Sequence, residues 1–90
     1  MLTMFILGFN EKKNNLKYEI NNIDKVFEII KGYGKYTGSI SPENINVFRQ
    51  YIMKLMNSKH VSQDVKEILG GILDFVIQVQ KRKTGLYWYW

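Results

Sequence analysis

Few side chains in this 90-residue chain are of a type and spacing that could do covalent chemistry. His60 is the single histidine, and the absence of cysteine removes both a Cys–His dyad and a thiolate metal site. The eight carboxylates are scattered along the chain at no spacing typical of metal ligation. Gly32-Tyr33-Gly34 has the outline of a phosphate loop but lacks a strand directly before it and a helix directly after it. These residues predict no catalytic centre, no metal and no cofactor, and enzyme is the class the sequence disfavours.

Binding chemistry is better represented. Lys81, Arg82 and Lys83 stand next to Leu86-Tyr87-Trp88-Tyr89-Trp90, a pentad holding both tryptophans of the chain. Rings beside cations suit a membrane interface, where amphipathic aromatics settle at the headgroups. They suit single-stranded nucleic acid, whose bases stack on rings while its phosphates pair with cations. They also suit a protein partner, because Trp, Tyr and Arg dominate hot spots. Lys81, Arg82, Lys83, Tyr87, Trp88, Tyr89 and Trp90 are therefore the candidate partner-binding residues. A protein is the expected partner, with membrane surface and nucleic acid as alternatives and the oligomeric state left open. A purely structural reading exists for each half: cations in a last helical turn complement the macrodipole, and the rings could complete a small core as a strand.

The formal charge of +5 has a plain compositional source. Lys, Ile and Asn make up one third of the chain, with no Ala, one Pro and two Arg (Arg49 and Arg82). That usage follows AT-rich codons and needs no polyanionic partner. Lys81–Lys83 is the one concentrated run, and three residues fall short of a nucleic-acid patch. The length fits a single domain, 1–90. An apolar fraction of 46% is ample for a core, which must hold by packing alone without disulfides. No apolar run approaches the roughly 20 residues of a spanning helix, and no basic region precedes Leu2–Leu7 as in a secretory signal. The expected location is cytoplasmic, or peripheral to a membrane.

The elements that must position the aromatic segment read as follows. Met1–Leu7 is a continuous apolar stretch, and Leu16, Tyr18 and Ile20 alternate with Lys17 and Glu19. With a polar, Asn-rich connection between them, they predict an N-terminal β-hairpin over about 2–20. Ile23, Val26, Phe27 and Ile30 lie at helical spacing after Asn21 and Asn22, predicting a first helix over about 22–32. Tyr33–Ile40, with its glycines, reads as a loop. Ser41-Pro42 opens a second helix over about 42–58, with Ile45, Phe48, Ile52, Leu55 and Met56 as its core stripe. Ser62 opens a third over about 63–83, broadly apolar, carrying Gly70-Gly71 at mid-length. Each glycine costs about 1 kcal/mol there, which close approach of another backbone, or a kink, would explain. Gly85 follows at the usual place for a left-handed residue. The fold class is α+β and mostly helical, with a short strand over 86–90 joining the hairpin.

From Ile45 onward the chain resembles the immunity proteins that protect producers of pediocin-like bacteriocins. The residues that carry the likeness are Ile45-Asn46…Tyr51-Ile52, then Val61-Ser62…Glu67-Ile68-Leu69…Ile72, and Gly85-Leu86-Tyr87. The resemblance implies an all-α four-helix bundle in the cytoplasm, with a C-terminal segment that recognises a bacteriocin–receptor system at the membrane. The expected function is a non-enzymatic protein-binding module, an immunity or inhibitor protein from an AT-rich bacterium, phage or plasmid. The alternative is a small basic nucleic-acid-binding regulator. It is disfavoured by the long link Asn57–Ser62 and by the acidic residues Asp64, Glu67 and Asp74 on the helix that would read a polyanion.

Overall fold

A computed structural model describes residues 1–6, 17–21, 23–25, 27–33 and 37–89. Four strands, β1 (Leu2–Ile6), β2 (Lys17–Ile20), β3 (Thr37–Ile40) and β4 (Leu86–Tyr89), form one antiparallel sheet in the order β2-β1-β4-β3. Two helices, α2 (Ile45–Met56) and α3 (Gln63–Lys81), pack against each other and cover one face of the sheet. A single α-turn, α1 (Phe27–Ile30), lies between 3-10 turns at Ile23–Lys25 and Lys31–Tyr33.

This architecture corrects the expected fold class in three places. The chain is α+β, but with a four-stranded sheet and two helices in place of a hairpin on three helices, and it is not a four-helix bundle. The helix expected over 22–32 is reduced to the one turn of α1. Four β-branched residues (Ile23, Val26, Ile29, Ile30) and Gly32 give it little intrinsic propensity, and short helices are marginal without it. The loop expected over Tyr33–Ile40 contains β3, so β4 is an interior strand instead of an edge added to the hairpin. Leu7–Leu16 and Trp90 lie outside the described residues.

Register assigns every strand side chain to a face, because directly paired residues point the same way. On the helix side, Met4 pairs with Tyr18 and with Trp88, which pairs in turn with Gly38. Ile6–Leu86–Ile40 and Leu2–Ile20 complete that face. These residues join Ile45, Phe48 and Ile52 of α2, and Leu69, Ile72, Phe75, Val76 and Val79 of α3, in one buried cluster with Ile30. Tyr33 packs edge-on against Phe48 at 5.0 Å and reaches Tyr51 at 6.3 Å.

Local signals explain the helix ends. The Ser62 hydroxyl accepts the Val65 N–H at 3.4 Å and caps α3. Ser41 does not cap with its side chain. Its carbonyl accepts the Asn44 N–H at 3.0 Å, closing a 3-10 turn over Pro42–Asn44, and α2 starts at Ile45. α3 ends in a Schellman motif: Lys83 N–H donates to Gln80 at 3.0 Å and Thr84 N–H to Val79 at 3.4 Å. Lys83, with φ 56°, occupies the left-handed position that Gly85 was expected to take.

Candidate functional site

The open face of the sheet is a grid of two rows. Glu19, Thr3, Tyr89 and Thr37 form one, and Lys17, Phe5, Tyr87 and Ser39 the other. The two interior strands supply the rings and the two outer strands the small or charged residues. Phe5 is buried between Tyr87 (centroids 5.1 Å, planes 21° apart) and Tyr89 (5.4 Å, 17°). Near-parallel stacking of this kind restrains each ring. Tyr89 remains 52% exposed and Tyr87 half-buried. The face thus has an aromatic centre and a polar rim.

Among the described residues of this face the charge cancels. Lys17 Nζ lies 3.2 Å from Glu19 Oε1, and these are the only ionic side chains in the grid. Opposite charges alternate along the edge strand, and both stay in water.

The described candidate residues, Lys81–Lys83 and Tyr87–Tyr89, do not lie together. Lys81, Arg82 and Lys83 are exposed at the end of α3, on the helix layer. Lys83 borders a cleft of about 410 Å³ with Pro42, Glu43, Ile45, Gln80 and Thr84. Tyr87 and Tyr89 point to the open face, with Tyr89 at the far end of β4, about 10 Å along the strand from Leu86. Trp88 points the other way and is 1% exposed, its indole lying over Gly38. A Cβ on Gly38 would overlap that indole and come within 2.7 Å of the Tyr33 carbonyl oxygen, which is why the strand carries glycine there. Phe5, which lies in an undivided apolar run of the sequence, stacks on both tyrosines. A strand buried on one face hides such a residue unless its partners are known.

A cleft of about 480 Å³ lies between β2 and α3, lined by Tyr18, Gly71, Asp74, Phe75 and neighbours. Tyr18 stacks on Phe75 at 6.5 Å. Burial and then the Asp74 carboxylate push its phenol above the ordinary value of 10.0. A Cβ on Gly71 would overlap the Tyr18 ring, so the expected close approach to this glycine is by a side chain and not a backbone.

Arg49 is tied up between helices. Its Nη1 donates to Gln80 Oε1 at 2.7 Å, and Gln80 Nε2 donates to Asn46 Oδ1 at 3.4 Å. His60 is exposed, its backbone N–H donating to the Ser58 hydroxyl at 3.2 Å. Among the described residues no three His, Asp or Glu gather as a metal would require, and no helix is long and apolar enough to cross a membrane. No protein-family model, curated protein or solved structure matches the chain.

Proposed function

We propose that the protein is a non-enzymatic protein-binding module and that its interface is the open sheet face centred on Tyr87 and Tyr89. The observation that carries this reading is the pre-stacked Phe5–Tyr87–Tyr89 cluster, partly exposed and rimmed by Thr3, Thr37, Ser39 and the Lys17–Glu19 pair. Protein interfaces combine an aromatic, charge-depleted centre with a polar rim, and rigid tyrosines contribute area at small entropic cost. A nucleic-acid surface needs rings and free cations together. Here the one cation in the grid is held by Glu19, and the three exposed cations of 81–83 sit beyond the opposite end of β4. An inhibitor or immunity role is one form such a module takes. The resemblance behind that role implied an all-helical bundle, so the proposal rests on the sheet face alone.

The test is a paired comparison of Tyr87→Ser/Tyr89→Ser with Lys81→Ser/Arg82→Ser/Lys83→Ser. The tyrosine variant is expected to lose a protein partner captured by the wild type and to keep its far-UV circular dichroism. The cation variant is expected to keep the partner, and neither protein should bind a labelled oligonucleotide tightly at physiological salt. Loss of binding in the cation variant alone, or nuclease-sensitive capture, would replace this reading with the nucleic-acid one.

A further inference from the structure

The sheet-face reading makes no use of the cleft between β2 and α3. Its volume of about 480 Å³ falls within the roughly 300–1,000 Å³ of small-molecule sites. Gly71, Asp74 and Gln78 line it from α3 at spacings i, i+3 and i+7, so they share one helix face. At Gly71 the space a side chain would fill holds the Tyr18 phenol oxygen, and that hydroxyl takes its place in the row. The row along α3 is therefore a phenol oxygen, a carboxylate and an amide, about one helical turn apart. All three accept hydrogen bonds, and the carboxylate can only accept. Buried Phe75, stacked on the Tyr18 ring at 6.5 Å, and half-buried Ile77 give the cleft an apolar wall. Two charged groups line the cleft, and their situations differ. Lys17 Nζ lies 3.2 Å from Glu19 Oε1, whereas Asp74 makes no ion pair among the described residues. The Asp74 charge is felt inside the cleft: after burial, it is the second cause that raises the Tyr18 phenol above 10.0.

We infer that this cleft binds a primary ammonium group carried on an apolar stem. The ammonium has three N–H donors and no acceptor. It donates to the Asp74 carboxylate and the Tyr18 phenol oxygen, and to the Gln78 side-chain carbonyl, which reaches back one turn. The stem lies against Phe75 and Ile77. Other ligand chemistries fit less well. An anion is repelled by Asp74, and a neutral apolar ligand takes water from that carboxylate without replacing its hydrogen bonds. Free amines and the side chain of a protein's lysine share the chemistry that the cleft recognises. The mid-helix glycine gains a reason here: it lets the phenol sit in line with Asp74, at about 1 kcal/mol of helix propensity.

Titrating the full, isotope-labelled chain with phenethylammonium and with N-acetyl-lysine methylamide, followed by amide chemical shifts, tests the site and separates the two sources. Saturable shifts at Gly71, Asp74 and Gln78 are expected, with a dissociation constant of about 1–10 mM for fragments of this size. Tighter binding of the free amine assigns the site to a small molecule, and tighter binding of the lysine derivative assigns it to a protein side chain. Phenethyl alcohol and hydrocinnamate keep the stem without the positive charge and should bind about fivefold more weakly or not at all. Asp74→Asn, at an exposed position, should cost the ammonium ligands about fivefold with an unchanged circular dichroism spectrum. Tyr89→Ser, on the open face, should change nothing, so this result is separate from that of the sheet-face reading. The inference fails if neither amine gives saturable shifts, if the uncharged stem binds equally, or if Asp74→Asn leaves amine binding intact.

Discussion

Gly70 and Gly71 are adjacent in α3 and differ in what surrounds them. A Cβ at Gly70 meets only Met56 Cε at 3.7 Å, an ordinary contact, while one at Gly71 comes within 2.5 Å of the Tyr18 ring. Gly70→Ala should therefore raise stability by about 0.5–1 kcal/mol, and Gly71→Ala should lower it by about 1–3 kcal/mol, as read by urea denaturation. Lys83 offers a second residue-scale test. Its left-handed backbone disfavours a side chain, so Lys83→Gly should add about 0.5–1 kcal/mol. Tyr18 supplies a pH dependence whose sign follows from its raised pKa. The fold favours the neutral phenol, so this contribution is whole below the ordinary tyrosine value of 10.0 and is lost as pH rises through the raised one. Tyr18→Phe should flatten the alkaline limb of the stability curve above about pH 10 and leave the acid limb unchanged.

β4 decides the architecture among the elements. It is interior, and its alternate residues serve opposite faces: Leu86 and Trp88 the core, Tyr87 and Tyr89 the open side. Trp88→Ala should cost about 3–5 kcal/mol, and Tyr89→Ala under about 1 kcal/mol. Similar losses at both positions would show that the two faces are misassigned. Some of this was legible in the chain and some was not. Ile45, Phe48 and Ile52 recur at helical spacing and are all buried, because α2 is long enough for one face to dominate its packing. Lys17 and Glu19 are exposed and Ile20 is buried, an alternation readable at period two. β3 was hidden because its inner position before Ile40 is a glycine, and the apolar group that fills the space is the Trp88 indole from another strand. The segment at 22–32 reads as a helix by spacing alone. Its β-branched residues and short length leave only one α-turn once tertiary packing decides. A one-residue signal cannot report a contact made fifty residues away.

On the scale of the whole molecule, the described helices α2 and α3 lie on one face of the sheet, and the proposed function rests on what the other face carries. The sequence sets cations and rings side by side over 81–90, yet the turn after α3 separates the cations from Tyr87 and Tyr89, and the strand alternation sends Trp88 into the core. Neither separation is visible without the register. The proposed function requires a protein to dock on the tyrosine face. It is tested most directly by placing a photoreactive benzoylphenylalanine at position 89, and separately at position 82, in the cells that make the protein. Irradiation is expected to give a discrete, nuclease-resistant protein adduct from Tyr89→benzoylphenylalanine and none from Arg82→benzoylphenylalanine. An adduct from position 82 alone, or a nucleic-acid adduct from either position, would contradict the account.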